Sequence, residues 1–474
     1  MIQWAKQNLW NVLIWVSTIF FTVLYISLLF NQNVWTDEIY TLKLIENSFR
    51  VLLEEASLSQ HPPLYYLTAK AARLIFGEKL LVQKIVALVP MSLTLVLGAT
   101  KVRRLFSDSV SFLFIIILGC IPCSMEFAVQ VRMYSMALLA VTACGLYAYE
   151  CYMTEKKSVW FGFTLSAVAA AYLHYFAFGS IIIICGLLFL FLAFFHREKL
   201  KFWLVSIVAM IVSYLPWFRV FVKQVTGVSE GYWIPEITGE TIWGYFEWTF
   251  GIDKWDWPCY VFTLLSVFAG IVVLTGAFIH KKKDDISALL CMLVPTLTAG
   301  TGIVISLLNT PVYRDQYIFP SIGLYCLFMA VVFSRFMQKK WFFLIGPVCL
   351  FLLFMGAVQY LETWRQEYKS TLTDQTVAFW NENVGENDII VYNWADFEFC
   401  YTYYFPEEKL FYVRDVDLSQ DFNTIWFINT ENEWEFVPAQ IIPYDLQVEY
   451  QGHFGIEHNE FDLYKVTKGP NAQF

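Results

Sequence analysis

Two adjacent carboxylates, Asp37 and Glu38, stand directly after a run without Asp, Glu, Lys or Arg that extends from Gln7 to Thr36. A carboxylate at a membrane surface can hold a metal ion, orient a nucleophile or accept a proton as a general base. Neighbouring residues point in different directions on a helix, so one carboxylate could face a reacting group while the other orients it. The competing interpretation is structural, with Asp37 capping a helix that begins at Ile39 and Thr36 as an alternative cap.

The same interval of sequence contains a histidine held next to two prolines, His61-Pro62-Pro63. The prolines restrict the backbone around the imidazole, which could donate to a phosphate or orient a carboxylate. A single histidine is usually structural. Its occurrence in the same loop as the acidic pair favours a site.

Two isolated arginines, Arg132 and Arg314, occur in later turns between apolar segments. A guanidinium in a low-dielectric site is suited to bidentate phosphate binding. Each arginine also has a structural interpretation, because Arg132 could extend to lipid headgroups and Arg314 could pair with Asp315. An acidic pair, a histidine and two arginines on one surface would suit an anionic leaving group beside a general base.

The composition indicates which elements must position these groups. The chain of 474 residues is 58% hydrophobic and only 15% charged, whereas a soluble domain carries about 25% charged residues. Residues 362–474 contain 21 acidic and 6 basic residues, a net charge of −15, which leaves +6 for residues 1–361 out of the total of −9. We therefore predict a transmembrane domain at 1–361 with a catalytic first outer loop at 31–80, then a domain at 362–474 in different surroundings. Nothing in this pattern indicates nucleic-acid binding.

A helix needs about 20 mainly apolar residues to cross a bilayer. Apolar runs between charges predict about eleven transmembrane helices, near residues 9–30, 82–100, 109–125, 133–151, 158–173, 176–195, 202–219, 259–279, 286–307, 316–334 and 341–360. With this count, the Lys and Arg clusters of the short loops all fall on one side, which is the cytoplasmic side by the positive-inside rule. The prediction is a multi-pass protein of the cell membrane with a cytoplasmic N-terminus and an extracytoplasmic C-terminal domain.

Three segments outside the predicted spans have patterns of their own. Residues 39–57 have apolar residues at helical spacing and predict one amphipathic helix on the membrane surface. Residues 64–76 predict a second, shorter apolar helix that ends at Gly77. The 220–257 segment is rich in Trp, Tyr and Phe, which indicates either an interfacial aromatic belt or a platform for sugar rings.

The last part of the chain predicts a small α/β domain. A helix is expected at 367–384 and strands at 388–392, 409–413, 424–429, 446–450 and 461–466. This domain contains no Gly-rich phosphate loop, metal cluster or catalytic triad in its sequence. We expect a recognition or covering domain rather than a second enzyme.

Taken together, the motifs resemble those of bacterial glycosyltransferase family 39. The resemblance rests on Trp35-Thr-Asp-Glu-Ile-Tyr40, His61-Pro-Pro-Leu-Tyr-Tyr66, Arg132-Met-Tyr134 and His174-Tyr175-Phe176. This family comprises C-type membrane glycosyltransferases that include protein O-mannosyltransferases and the aminoarabinose transferase of lipid A. The resemblance is most specific over residues 30–105 and adds little for the C-terminal domain.

The resemblance implies a sugar donor linked to a polyprenyl phosphate and inversion at the anomeric carbon on the outer face of the membrane. It implies that Asp37 is the general base on the acceptor hydroxyl and that Glu38 supports it. His61, Arg132 and Arg314 are then the candidates for binding the donor phosphate. Aromatic and imidazole side chains in or beside the motifs are expected to line the substrate: Tyr40, Tyr65, Tyr134, His174 and Tyr317. Some family members carry a Lys or Glu near the Pro-Pro stretch where His61 stands in this sequence.

The predicted function is transfer of a hexose or pentose to a lipid, glycan or protein acceptor, with membrane lipids as the surroundings. Because a lipid phosphate is already a good leaving group, cationic side chains could suffice without an obligatory metal, although some C-type enzymes use a divalent cation. The alternative is a transporter or flippase of lipid-linked saccharides, which would also place acidic and basic residues at membrane level. A third interpretation is a non-catalytic membrane scaffold that presents the C-terminal domain.

Overall fold

The computed structural model describes residues 2–30, 34–227, 234–241, 243–244, 257–278, 283–337, 346–347, 351, 354–358, 361, 372–416, 422–430, 446–456 and 459–469. The chain forms two compact units. The first unit contains Met1–Phe30 and Asn47–Glu362, and the second contains Asn31–Glu46 and Thr363–Phe474. The short segment that carries Asp37 therefore belongs to the same compact unit as the C-terminal domain.

The first unit is helical. Its helices, with the helix α2 of the second unit omitted, are α1 (Ile2–Leu28), α3 (Phe49–Leu58), α4 (Leu64–Phe76), α5 (Leu80–Leu97), α6 (Asp108–Cys120), α7 (Pro122–Val129), α8 (Tyr134–Met153), α9 (Lys157–Ala171), α10 (Tyr175–Phe195), α11 (Leu200–Gly227), α12 (Trp257–Phe278), α13 (Lys283–Leu308) and α14 (Ile322–Phe336). A π-helical turn, Gly98–Val102, continues α5, and a 3₁₀ helix, Asp315–Ser321, precedes α14.

The predicted polytopic architecture is confirmed. Among the described residues, seven helices are long and apolar enough to cross a membrane, or eight if the bent pair α6 and α7 is one span. Ten of the eleven predicted segments fall on helices, and the eleventh, 341–360, lies mostly outside the described residues. The 72° bend between α6 and α7 occurs at Pro122, which has no backbone N–H and cannot continue the preceding helix.

Small residues allow the spans to pack closely. The Cα of Gly119 on α6 lies against the ring of Phe21 on α1, and Gly323 on α14 lies against the side chain of Thr142 on α8. A Cβ at either glycine would overlap these side chains. Because lipid is as apolar as the helix surfaces, close backbone approach of this kind is a main source of helix association in membranes.

Two predicted boundaries were wrong. The amphipathic stretch at 39–57 is not one helix, because the chain turns after Leu44 and a new helix begins at Phe49. The Ser48 hydroxyl accepts a hydrogen bond from the Val51 amide at 3.3 Å and caps this second helix. The span predicted at 202–219 continues as α11 to Gly227. The short helix at 64–76 was predicted correctly, and Gly77 ends it with φ +95°.

The second unit contains α2 (Thr36–Leu44), α15 (Leu372–Asn383), α16 (Glu398–Tyr404) and five strands: β1 (Ile389–Tyr392), β2 (Leu410–Tyr412), β3 (Thr424–Asn429), β4 (Leu446–Ile456) and β5 (Asn459–Lys468). The sheet order is β2-β1-β3-β5-β4. The β1–β2 and β1–β3 pairs are parallel, and the β3–β5 and β4–β5 pairs are antiparallel. Each predicted strand is present, and β4 and β5 are longer than predicted.

The helix that carries the acidic pair packs within the second unit. The Lys43 ammonium on α2 donates to the Thr402 carbonyl on α16 at 3.1 Å. The Tyr40 ring meets the Phe399 ring edge to face, with centroids 6.5 Å apart. Helix α2 is therefore held by α16, which the sequence placed in the C-terminal domain.

Candidate active site

The acidic pair lies in the first turn of α2, where the two carboxylates have different surroundings. The Glu38 side chain is 4% exposed, and its Oε2 accepts from the Trp35 amide at 3.1 Å. Asp37 is half-buried. Because α2 begins at Thr36 with Trp35 at the N-cap, neither Asp37 nor Thr36 is the cap that sequence reasoning offered as the structural alternative. Glu38 stabilises the helix start, and this orients the turn that carries Asp37.

In the first unit, four residues from four separate segments form a ring cluster, here called the two-histidine cluster. It consists of His61, Tyr134, His174 and Tyr317. The His174 ring lies at its centre, with centroid distances of 5.4 Å to His61, 5.7 Å to Tyr134 and 5.0 Å to Tyr317. His61 also meets Tyr317 edge to face at 6.5 Å. The structure thus brings together four of the residues that sequence reasoning assigned to donor binding or to the substrate lining.

A buried cation lies beside this cluster. Arg132, in the turn between α7 and α8, is 2% exposed. Burial of the imidazole, then the Arg132 charge and the neighbouring His174, lower the pKa of His61 well below its usual value. Burial, followed by the Arg132 charge, lowers the pKa of His174 to about 3. Both imidazoles are therefore neutral at physiological pH, and the positive charge of this region resides on Arg132.

The local backbone assigns the tautomer of His174. Nδ1 of His174 accepts a hydrogen bond from the Phe176 amide at 3.1 Å and caps α10. A neutral imidazole has one donor and one acceptor nitrogen, so Nε2 of His174 carries the proton. The ring consequently presents a neutral N–H donor on the side away from the helix start.

A glutamine outside the predicted motifs holds the His61 loop. Gln224, buried on α11, donates through Nε2 to the carbonyls of Ala56 at 2.9 Å and Ser57 at 3.2 Å, and also to that of Ser59. Its Oε1 accepts from the Tyr175 hydroxyl. These bonds join the end of α3, just before His61, to the residue that follows His174.

Further contacts fix the loop from its other end. The Leu64 amide, directly after the two prolines, donates to the Tyr172 carbonyl at 3.1 Å. Trp217 Nε1 donates to the Tyr175 hydroxyl at 3.3 Å. The His61 loop is therefore attached to the turn between α9 and α10 on both sides, which fixes the distance between the two imidazoles.

The other predicted site residues are distributed as follows. Tyr65 is buried in the first turn of α4 and meets Tyr66 edge to face at 6.3 Å. Arg314 is half-buried, and its carbonyl accepts from the Tyr317 amide at 3.0 Å at the start of the 3₁₀ helix. Asp37, Glu38 and Tyr40 belong to the second unit. The aromatic segment at 220–257 lies largely outside the described residues.

Two further features concern cofactors and lipid. In the described part of the chain, no group of three or more His, Cys, Asp or Glu side chains is arranged to hold a metal ion. An apolar cavity of about 490 Å³ in the first unit lies between α1, α6 and three later residues, and its lining is Val16, Ser17, Phe20, Phe21, Ile116, Cys120, Pro347, Phe351 and Phe354. This lining suits hydrocarbon and offers little to a sugar or a phosphate.

Sequence reasoning missed Gln224. It lies beyond the end of the predicted span at 219, inside a segment read as loop, so its position on a helix was not visible. The available signal was the apolar pattern that continues past 219 through Val220, Phe221, Val222 and Val225, which extends the helix beyond Gln224.

A scan against protein-family models and a search of curated proteins both found no match. Solved structures do match. ArnT from Cupriavidus metallidurans in the apo state has a TM-score of 0.56 at 11% identity, with 97% of this chain and 98% of that chain covered. ArnT from Cupriavidus metallidurans bound to undecaprenyl phosphate has a TM-score of 0.57 at 12% identity, with 95% and 98% covered. The chain therefore shares the polytopic fold of ArnT.

Proposed function

We propose that this protein is an inverting glycosyltransferase that moves a sugar from a polyprenyl-phosphate donor to an acceptor hydroxyl. The observation that carries the proposal is the buried Arg132 beside two neutral imidazoles, on a fold shared with a protein that binds undecaprenyl phosphate. A buried guanidinium is stabilised by an anion and binds phosphate oxygens through a planar set of donors. His61 and His174 then act as neutral hydrogen-bonding groups, and His174 donates through Nε2.

The proposed reaction follows from these groups and from the family resemblance. Asp37 accepts the proton of the acceptor hydroxyl, and the resulting oxygen forms a bond to the anomeric carbon. The bond from that carbon to the phosphate oxygen breaks on the opposite side, which inverts the configuration and releases polyprenyl phosphate. Arg132, with Arg314 as a second candidate, stabilises the charge on the departing phosphate.

The outer face of the membrane is the proposed location of the reaction, as the distribution of Lys and Arg in the loops predicts. Donors carrying a hexose or a pentose, and lipid, glycan or protein acceptors, are all compatible with the proposal. Because cationic side chains can stabilise the lipid phosphate as it leaves, we propose that a divalent cation is not obligatory. Sugar transfer that persists after EDTA treatment supports a metal-independent reaction. Loss of transfer in EDTA that is reversed by adding Mg²⁺ or Mn²⁺ would contradict it.

The test of the proposal is an Asp37→Asn variant in cells. We expect the variant to be expressed and folded but to lose the glycan product, since an amide cannot accept the proton. Mass spectrometry of cell-envelope glycans and glycoproteins, with and without the protein, identifies the sugar and the acceptor together. Full product formation by Asp37→Asn would rule out the general base, and the same lipid-linked saccharide moved across the membrane without any transfer would favour the transporter alternative.

A further inference from the structure

The turn that carries Arg132 also carries a glutamine. Helix α7 ends at Val129, and the Arg132 amide donates to the Gln130 carbonyl at 2.7 Å. This hydrogen bond closes a three-residue turn, so the side chains of Gln130 and Arg132 start from its two ends. Tyr134 of the two-histidine cluster begins α8 two residues later. Gln130 is therefore fixed by the same short turn as the proposed phosphate-binding cation.

The side-chain amide of Gln130 is buried, and its oxygen accepts no hydrogen bond from the described residues. Oε1 is inaccessible and has no hydrogen-bond partner among the described residues, and the residue is 8% exposed. More than about 90% of buried polar groups in proteins are hydrogen-bonded. A buried oxygen without a donor is therefore available to a ligand or a water, and at Gln130 it lies in the turn of the proposed phosphate-binding cation. Part of the residue remains accessible, so a small movement of the side chain would bring the amide oxygen to a ligand.

Gln130 supplies what the neighbouring groups lack. Arg132 offers only donors, and His174 presents a donor at Nε2, so both suit phosphate oxygens. A sugar hydroxyl both donates and accepts, and it needs an acceptor oxygen as well as a donor. A carboxamide provides both within one side chain, without adding a negative charge next to the phosphate.

We propose that the Gln130 amide binds a hydroxyl of the sugar while Arg132 binds the phosphate of the same polyprenyl-phosphate sugar. This inference rests on the proposed function and adds the residue that distinguishes the sugar from the lipid phosphate. It predicts that Gln130 contributes to the affinity for sugar-bearing donors and not to the affinity for bare undecaprenyl phosphate.

The matched control is a second glutamine with the same chemistry in another place. Gln83 on α5 is 1% exposed, and neither atom of its amide group has a hydrogen-bond partner among the described residues. It lies on a different helix, Leu80–Leu97, and is not part of the Arg132 turn. Gln83→Leu therefore makes the same chemical change as Gln130→Leu without touching the proposed sugar contact.

The experiment measures binding of undecaprenyl phosphate and of undecaprenyl phosphates carrying mannose, glucose or arabinose to the purified full-length protein. We compare the sugar that the wild type binds more tightly than bare undecaprenyl phosphate. Gln130→Leu is expected to reduce the affinity for this sugar-bearing lipid by about 3- to 10-fold, which corresponds to the loss of one neutral hydrogen bond. Affinity for bare undecaprenyl phosphate should not change. Gln83→Leu should leave both affinities unchanged. Thermal unfolding checks that each variant is folded, and Gln130→Asn, which keeps the amide but shortens the side chain, replaces Gln130→Leu if that variant does not fold.

The outcomes separate this inference from the proposed function. A wild-type protein that binds none of the lipids overturns both. A wild-type protein that prefers sugar-bearing lipids, with an equal preference in the Gln130 variants, overturns the inference alone. An equal loss in Gln83→Leu and Gln130→Leu also overturns it, because the effect would then not belong to the Arg132 turn.

Discussion

The two units place histidines in opposite electrostatic surroundings. In the first unit, burial and the Arg132 charge lower the pKa values of His61 and His174. In the second unit, His453 on β4 lies 3.0 Å from the Glu460 carboxylate and 3.2 Å from that of Asp462. Hydrogen bonds to these two carboxylates raise the pKa of His453. The same side chain is thus kept neutral in one unit and favoured as a cation in the other.

The difference supports the proposed binding of an anionic ligand in the first unit. Its permanent charge is on Arg132, whose guanidinium does not lose its proton at any physiological pH. Two neutral imidazoles beside it can form hydrogen bonds without a pH-dependent charge. A His453-like environment, with carboxylates at hydrogen-bonding distance, would instead repel a phosphate.

The largest effect is expected from removing the fixed charge. Arg132→Gln should weaken binding of undecaprenyl phosphate by about 100-fold, because a charged hydrogen bond to phosphate contributes about 1.5–3 kcal/mol. Loss of the neighbouring cation should also raise the pKa values of His61 and His174, while burial continues to hold both below the usual value. Isothermal titration with undecaprenyl phosphate measures the affinity, and NMR titration of ¹³C-labelled histidine measures the two pKa values.

The control for this prediction is Arg50→Gln, which removes an exposed arginine paired with Glu54 at 2.8 Å on α3. It should bind as the wild type does. Equal affinities for Arg132→Gln and the wild type would exclude Arg132 from the phosphate site. Unchanged pKa values of His61 and His174 in Arg132→Gln would show that the charge of Arg132 does not influence the two imidazoles.

A smaller effect is expected from loosening the loop that keeps His61 buried. Gln224→Ala removes the side chain that donates to three backbone carbonyls and accepts from the Tyr175 hydroxyl. The variant should lower the rate of sugar transfer by about 10-fold. It should also lower the free energy of unfolding by about 1–3 kcal/mol. The variant should also raise the pKa of His61, because a more mobile loop exposes the imidazole to water and reduces the effect of burial. NMR titration of ¹³C-labelled histidine reports this pKa, with Lys223→Ala as the exposed neighbour control. A variant with reduced stability but an unchanged His61 pKa would assign Gln224 a purely structural role.

Much of the fold was predictable because it depends on local sequence. Apolar runs between charges located ten helices, and short runs rich in β-branched and aromatic residues located the five strands. The grouping of residues 31–46 with the C-terminal domain was not predictable. It depends on contacts such as Lys43 to Thr402, which are 359 positions apart and leave no local pattern.

The candidate site was predictable in its residue types and not in its electrostatics. His61, Arg132, Tyr134 and His174 all belong to motifs visible in the sequence. That the imidazoles are neutral follows from burial and from Arg132, which only the tertiary structure brings near them. Gln130 and Gln224 carried no motif, and their importance is visible only from hydrogen bonds made or left unmade.

Stability should also depend on pH in a direction set by the buried histidine. The pKa of His174 is near 6.5 in the unfolded chain and about 3 in the folded protein, so between these values the unfolded state binds more protons. The contribution of neutral His174 to the free energy of unfolding is therefore complete above pH 6.5. It decreases as the pH falls toward 3, by about 1.4 kcal/mol per pH unit. His174→Asn should flatten the fall of the unfolding midpoint between pH 6.5 and 5. A slope identical to the wild type would contradict the neutral, buried state of His174.

The smallest effect, with the opposite sign, is expected at His453. Its raised pKa contributes stability that is fully present below pH 6.5 and is lost as the pH rises through the folded value, and exposed pairs of this kind contribute less than about 1 kcal/mol. In ¹³C-histidine NMR of the full-length protein, the His453 signal, assigned by its absence in His453→Gln, should titrate above pH 6.5. Added salt at 0.5 M should move this pKa back toward 6.5, because salt screens exposed charges. The screening length is about 10 Å at 0.1 M salt and becomes shorter at higher salt. A His453 signal that titrates below 6.5 would remove the contrast between the two units, since Glu460 and Asp462 would then have no influence on the imidazole.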